Sequence, residues 1–307
     1  MCYLSLKVQG IILAIISAVC YGTNPLGALF LYQEGLTVSS VIFYRFIFAS
    51  LILAGFMLLQ KKSFYITKKE LLFLILLGLL FGISSICLFN SFLYMDAGIA
   101  STILFVYPIF VAILMAIFFK ERSSIITILS IVFAFIGVVL LYGDNNSNVS
   151  NIGVVLVMIS SICFAIYIVI VNQYLKIPAL KLTFYSMLFC SITILCFSLL
   201  FEEATIQALK NGTMWFYTIF LALIPTVISL LFLVKAIKLI GSTPASILGA
   251  LEPLTAVIIG ISIFNEKLTF LLVIGILFIL FGVTLVIAKD LIEKSFKKIM
   301  RPKISKK

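Results

Sequence analysis

The chain has 307 residues, of which 64% are hydrophobic and 11% are charged, and its net charge is +11. A soluble domain carries roughly 25% charged residues, so the composition excludes an ordinary soluble protein and indicates a helical membrane protein. The sequence contains no histidine, which excludes histidine metal sites, Ser-His triads and histidine proton relays.

Ten apolar runs of about 20 residues follow one another along the chain, the length that an α-helix needs to cross a bilayer. They cover approximately residues 8–31, 38–59, 71–93, 98–119, 124–142, 152–173, 180–200, 213–234, 244–264 and 268–288. In the first run, the segment 22–27 contains Pro25. Because proline removes a backbone hydrogen bond, we predict a bend there, as either a hinge or a static kink.

Lysine and arginine are unevenly distributed over the two sides of these spans. With a cytoplasmic N-terminus, 19 of the 22 basic residues fall on the cytoplasmic side, Lys210 and Lys267 fall on the opposite side, and Arg45 lies inside the second span. Basic loops stay in the cytoplasm. We therefore predict a multi-pass protein of the cell inner (cytoplasmic) membrane with both termini cytoplasmic. The positive charge reflects topology and predicts no nucleic-acid partner.

The chain repeats itself. When Pro253 is set over Pro108, residues 241–267 match residues 96–122 with an offset of 145. Further matched pairs are Ser101 with Ser246, Glu121 with Glu266, and Gly137 with Gly282. The two copies differ at one deep position, where the first has Tyr107 and the second has Glu252.

The repeat extends to the first span of each half, where residues 16–22 match 159–165 with an offset of 143. Each half holds five spans, an odd number, so the halves enter the membrane in opposite directions. The predicted fold is an all-α membrane protein of ten transmembrane helices in two inverted five-helix repeats, residues 1–143 and 152–289. A basic cytoplasmic tail, 290–307, follows. It either lies on the anionic inner leaflet or is solvated.

Two ionisable residues lie deep in the predicted spans, where charge is costly and marks functional candidates. Glu252 is about 12 Å along the ninth span and Arg45 about 10 Å along the second, at 1.5 Å per residue. Glu252 either binds substrate or a proton, or holds helices together. Arg45 pairs with Glu252, binds an anionic substrate group, or snorkels outward, and a structural role is favoured.

Polar side chains inside membrane spans usually face the bundle interior. The other candidates for the substrate path are Tyr21, Asn24, Asn90, Tyr107, Tyr167 and Ser246. The alternative is that the small-residue stripes around them are packing seams between helices, which is their commoner use.

Several stretches together resemble one family. They are Tyr21-Gly22-Thr23-Asn24, Phe43-Tyr44-Arg45-Phe46, Phe164-Ala165-Ile166-Tyr167, and the doubled proline-to-glutamate stretches Pro108–Arg122 and Pro253–Lys267. Over nearly its whole length the chain resembles the EamA-type transporters of the drug/metabolite transporter superfamily. Tyr21 and Phe164 depart from the tryptophan that is common there.

The resemblance implies two inverted halves around a central cavity, with the fifth and tenth helices at the periphery. It also implies transport, usually export, of small organic metabolites such as amino acids.

The predicted function is therefore secondary transport of a small-molecule metabolite by alternating access, with Glu252 as the candidate proton-coupling residue and facilitated diffusion as the alternative. The sequence has no P-loop, so ATP is not the direct energy source, and no cofactor is expected. A lipid flippase or scramblase of the same fold is a second hypothesis. A third, an intramembrane lipid-modifying enzyme, lacks an acid–base constellation, so we predict that the protein is not an enzyme.

Overall fold

The computed structural model describes residues 5–95, 97–121, 124–142, 150–174, 176–200, 205–264 and 270–300. The α-helices in these residues are α1 (Leu6–Tyr21), α2 (Asn24–Gln33), α3 (Val38–Leu59), α4 (Lys68–Ser91), α5 (Ala97–Leu104), α6 (Tyr107–Phe119), α7 (Ile125–Tyr142), α8 (Asn151–Gln173), α9 (Ala179–Leu200), α10 (Gly212–Ala222), α11 (Ser229–Ile240), α12 (Ser242–Leu248), α13 (Leu251–Phe264) and α14 (Phe270–Met300). A π-helical turn, Leu223–Ile228, joins α10 to α11.

These helices account for all ten predicted spans, which confirms the all-α membrane fold. Within the described ranges, six helical stretches are long and apolar enough to cross a membrane, and the remaining apolar helices are shorter. The tenth span was predicted to end at residue 288, whereas α14 continues to Met300. The helix therefore runs through the first part of the predicted tail.

In the described residues, four of the ten spans depart from a single regular α-helix. The bend predicted in the first span is confirmed, because α1 ends at Tyr21 and α2 begins at Asn24. The fourth span is divided into α5 and α6, and the ninth into α12 and α13. The eighth runs without a gap from Gly212 to Ile240, with a π-helical turn between α10 and α11.

Proline accounts for where the second part of three of these spans begins. Pro25 and Pro108 lie in the first turns of α2 and α6, and Pro253 is the third residue of α13. The first N–H groups of a helix have no partner within the helix, so proline costs little there, whereas it breaks a helix interior. Each of these spans is therefore two half-helices that meet inside the bundle.

Local side-chain chemistry fixes the start of α4. The Thr67 hydroxyl accepts a hydrogen bond from the backbone N–H of Glu70, and the Glu70 carboxylate accepts one from the backbone N–H of Thr67 at 2.8 Å. This reciprocal arrangement satisfies two N–H groups that would otherwise lack partners at the helix start.

The two halves are interlocked by equivalent contacts. Ser84 in α4 and Ser160 in α8 lie with their hydroxyl oxygens 2.9 Å apart. Ser229 in α11 donates to the Ser17 carbonyl in α1 at 3.0 Å. Ser17 and Ser160 are equivalent in the repeat, as are Ser84 and Ser229. The first span of each half therefore packs on the third span of the other half, as a two-fold relation requires.

The fifth and tenth spans, α7 and α14, pack on each other at the edge of the bundle. A Cβ added at Gly137 would lie 2.7 Å from the Gly275 carbonyl oxygen, and one at Gly282 would lie 2.8 Å from the Ser130 carbonyl oxygen. Ser130 and Gly275 are themselves equivalent, so the interface is symmetric. The opposite side of α7, which includes Val132 and Val139, is exposed, which agrees with the peripheral position implied by the resemblance.

Candidate substrate-binding site

The centre of the molecule is marked by a contact between two equivalent residues. The Tyr107 hydroxyl donates a hydrogen bond to Glu252 Oε1 at 3.4 Å. These residues are 145 apart, which is the offset of the repeat. Residues related by a two-fold axis touch each other only when both lie next to it, so Tyr107 and Glu252 lie at the pseudo-two-fold axis between the halves.

Tyr107 and Glu252 both lie directly after the breaks in the fourth and ninth spans. Tyr107 is the first residue of α6, and Glu252 is the second residue of α13. The N-terminus of a helix carries a partial positive charge, which favours a carboxylate in the first turn. Half-helices whose N-termini meet at mid-membrane are a common construction of transporter binding sites.

Gly249 provides the space for Tyr107. A Cβ added at Gly249 would overlap the Tyr107 hydroxyl and would lie 3.0 Å from Tyr107 Cζ. Gly249 is therefore needed for Tyr107 to reach Glu252. Gly22 allows a second close approach, since a Cβ there would lie 2.5 Å from the Glu252 carbonyl oxygen. The first span thus packs directly on α13.

Three of the predicted path residues line one small cavity at this centre. Its volume is about 20 Å³, room for a single water molecule. Its lining residues are Tyr21, Gly22, Asn24, Pro25, Leu88, Phe92, Ser101, Leu104 and Glu252. Glu252, which is half-buried, therefore borders this cavity together with the polar residues Asn24 and Ser101.

A second pair of equivalent residues forms an aromatic wall beside the axis. Tyr21 stacks on Phe164, with ring centres 6.1 Å apart and planes 8° apart. Phe164 also meets the edge of Tyr107 at 4.9 Å and stacks on Tyr167 at 6.2 Å. The positions where the family commonly has tryptophan are thus occupied by two rings that contact each other.

Arg45 is fully buried in α3. Its Nε–H donates to Thr226 Oγ1 at 2.6 Å, and its Nη2 donates to the Pro225 carbonyl at 3.4 Å. Both acceptors belong to the π-helical turn of the eighth span. The guanidinium therefore neither snorkels outward nor pairs with Glu252, two of the alternatives that the sequence left open.

The surroundings of Arg45 are aromatic. Its Cζ lies 5.7 Å from the ring centre of Tyr21, 5.0 Å from that of Phe46 and 5.3 Å from that of Phe89. A cation over aromatic faces is attracted by the ring quadrupoles. Tyr21 contacts Arg45 on one side and lines the cavity with Glu252 on the other.

Several buried polar atoms in this region have no hydrogen-bond partner among the described residues. They are Asn24 Oδ1 and Nδ2, Arg45 Nη1, Tyr167 Oη, Ser186 Oγ and Thr218 Oγ1. Buried polar groups are nearly always paired. Of these residues, Asn24 lines the small cavity, so its unpaired amide indicates a place that water or a ligand can occupy.

Two of the predicted path residues do not join this centre. The Ser246 hydroxyl is buried and donates to the Thr243 carbonyl in its own helix at 2.8 Å. Its equivalent, Ser101, lines the central cavity instead. Asn90 Nδ2 donates to the Ile86 carbonyl at 2.8 Å, also within its own helix.

Asn90 borders a larger cavity at the end of the bundle opposite the start of α1. This cavity has a volume of about 530 Å³. Its lining residues are Tyr32, Gly35, Leu36, Thr37, Val38, Ser39, Asn90, Leu93, Tyr94 and Phe197. At the other end of the bundle, Asn172 Nδ2 donates to Ser242 Oγ at 3.1 Å and joins α8 to α12.

Sequence reasoning missed Ser101, Phe92 and Thr226. Ser101 had a signal, because it is the repeat equivalent of the candidate Ser246, whereas Phe92 is one of many aromatic residues in apolar runs and had none. Thr226 had a signal, because it follows Pro225, and a proline inside an apolar span predicts an opened helix with free backbone groups.

Broken half-helices, inverted halves and a carboxyl group at the axis between them define the class of membrane transporters. The EamA-like transporter family matches residues 8–143 and again residues 151–288. The chain belongs to the EamA-like transporter family, and it is a multi-pass membrane protein.

Known relatives agree with this family. One uncharacterized transporter of Archaeoglobus fulgidus is 36% identical over 125 residues, which are 40% of this chain and 43% of that protein. Another uncharacterized transporter of the same organism is 27% identical over 270 residues, which are 88% of this chain and 93% of that one. A protein of known crystal structure superposes with a TM-score of 0.77 at 14% identity, over 92% of this chain and 99% of that chain. This last likeness concerns the fold alone.

Proposed function

We propose that this protein is a secondary transporter of the cytoplasmic membrane that exports a small organic metabolite by alternating access, with Glu252 as the residue that couples transport to protons. The observation that carries the proposal is the contact of Tyr107 with Glu252 at the axis between inverted halves. Halves that rock about this axis present the same carboxyl group to each side of the membrane in turn.

The two ends of the bundle support this mechanism. One end opens into a cavity of about 530 Å³, whereas the other end is joined by the bond from Asn172 to Ser242. With both termini in the cytoplasm, as the distribution of basic residues predicts, the open end faces outward. Residues 1–143 and 152–289 are the two moving units of this proposal, and residues 290–307 are its cytoplasmic tail.

The test is transport in liposomes with the Glu252→Gln variant. A growth-toxicity screen of a deletion strain against amino acids and their analogues first supplies a substrate. Glutamine keeps the shape of the side chain but carries no titratable proton. We therefore expect uptake driven by a pH gradient to fall to the level of empty liposomes, while substrate counterflow continues.

The matched control is Glu121→Gln, which changes an exposed carboxylate beyond α6 and is expected to alter neither measurement. Unchanged pH-driven uptake by Glu252→Gln would exclude Glu252 as the proton-coupling residue. Counterflow without any pH-driven uptake in the wild type would instead indicate facilitated diffusion. Movement of lipid without counterflow of any small molecule would favour the scramblase hypothesis.

A further inference from the structure

The described residues do not supply an acceptor for every N–H donor of Arg45. A guanidinium carries five N–H groups. Nε and Nη2 donate to Thr226 and to the Pro225 carbonyl, and the Tyr21 side chain lies within hydrogen-bonding reach of the guanidinium. Nη1, although buried, has no partner among the described residues. Both acceptors are neutral oxygens, so none of the described carboxylates balances this charge.

The structural role of Arg45 does not explain why its Nη1 has no acceptor. Holding the π-helical turn uses Nε and Nη2, which bind Thr226 and the Pro225 carbonyl. Burying a charge without a counter-charge is costly. A buried guanidinium that keeps one nitrogen unpaired therefore suits a partner that arrives from outside the protein.

A second unpaired group lies close to the same aromatic ring. Tyr21 contacts the Arg45 guanidinium and also lines the central cavity. Asn24 lines that cavity too, and both polar atoms of its side-chain amide lack partners. The Tyr21 ring therefore lies between the Arg45 guanidinium and the cavity that Asn24 lines.

We propose that Arg45 Nη1, together with the Asn24 amide, binds the carboxylate of the transported molecule, so that the substrates are small organic carboxylates. This inference rests on the proposed transport function. The planar fork of a guanidinium matches a carboxylate in geometry. Arg45 is the single fully buried basic side chain of the described residues, and one positive charge balances a singly charged group better than a phosphate dianion.

The experiment measures thermal unfolding of the purified full chain in detergent with pairs of acids and their amides. The pairs are isovalerate with isovaleramide, L-leucine with L-leucinamide, and succinate with succinamide, and sodium chloride is a further arm. A molecule that binds only the folded protein raises the unfolding midpoint. We expect at least one acid to raise the midpoint of the wild type while its amide does not.

The variants separate binding from structure. Arg45→Gln is expected to weaken the apparent affinity for that acid by roughly tenfold or more, the effect of losing a charged hydrogen-bond partner. Thr226→Val removes the structural bond of Nε and is expected to lower the midpoint without changing the ratio of acid to amide affinity. Lys210→Gln, a basic residue outside the site, should behave as the wild type.

Four results would overturn the inference: equal binding of acid and amide, no stabilisation by any acid, equal stabilisation by chloride, or undiminished acid binding by Arg45→Gln. A Thr226→Val variant that loses the preference as fully as Arg45→Gln would also overturn it, since the role would then be structural. Should Arg45→Gln fail to fold, the comparison of acid with amide in the wild type decides the question. If an acid binds but shows no counterflow, the proposed transport function would be contradicted, whereas the proposed carboxylate site would stand.

Discussion

At the scale of single residues, the centre depends on the absence of a side chain at Gly249. The Tyr107 hydroxyl occupies the space that a Cβ at this position would fill. Tyr107 is thereby held against Glu252, its equivalent in the other half. The contact between Tyr107 and Glu252 at the axis therefore depends on glycine at position 249.

We predict that Gly249→Ala destabilises the protein by about 1–3 kcal/mol, the usual cost of forcing extra atoms into a packed core. The added methyl group displaces Tyr107 and breaks its hydrogen bond to Glu252. Denaturation in detergent measures the change. Adding Tyr107→Phe should recover part of the loss, because it removes the overlapping oxygen and leaves Cζ, at 3.0 Å, as the nearest ring atom.

The control for this prediction is Gly55→Ala in α3. A Cβ there meets nothing within 4 Å, so alanine should stabilise the helix slightly, by about 0.5–1 kcal/mol. A Gly249→Ala variant as stable as Gly55→Ala would refute the steric account of this site.

Counting residues along the ninth span predicts that Glu252 lies near mid-membrane, and the structure shows it in contact with its repeat equivalent, Tyr107. Counting does not give helix rotation or the neighbouring span, so it left the partners of Arg45 open. The same gap explains Asn90, which was grouped with the centre but borders the larger cavity.

At the scale of helices, the interrupted spans were the least predictable feature. Pro108 and Pro253 were visible in the sequence, but the breaks lie two and three residues before them, at residues 105–106 and 249–250. A proline in a first turn and a proline in a helix interior look alike in an apolar run. The number of spans was predictable because apolar length sets it, whereas the position of a break depends on contacts between spans.

The contact of α7 with α14 allows a test of the two-fold symmetry. We predict that Gly137→Ala and Gly282→Ala each destabilise the protein, by similar amounts of about 1–3 kcal/mol. In each variant the new methyl group meets a backbone carbonyl of the opposite helix, at 2.7 Å and 2.8 Å respectively, and backbone cannot move aside as a flexible side chain can. Chemical denaturation of the two variants beside Gly55→Ala checks this, and a neutral result for either one would contradict the symmetric packing.

At the scale of the whole molecule, the interlocked halves make the repeats one folding unit. The contact of Ser84 with Ser160 and the contact of Ser17 with Ser229 each bind one half to the other. Each half therefore leaves its first and third spans without their main partners when it is alone.

The inverted arrangement predicts the sidedness of the loops. Reporter tags inserted within residues 143–151 and tags at the C-terminus should report opposite sides of the membrane, with the C-terminus in the cytoplasm, because an odd number of spans separates them. Paired fusions to a periplasmic and a cytoplasmic reporter make this measurement. The same side for both positions would be incompatible with two inverted five-span halves.

The meeting of Tyr107 with Glu252 has a consequence for how such a molecule can arise. An antiparallel dimer of identical chains would place the same side chain twice at this point. Two glutamates would face each other as like charges, and two tyrosines would leave no acid. Joining the copies into one polypeptide lets the two positions diverge, so that one carries a carboxyl group and the other a hydroxyl that donates to it.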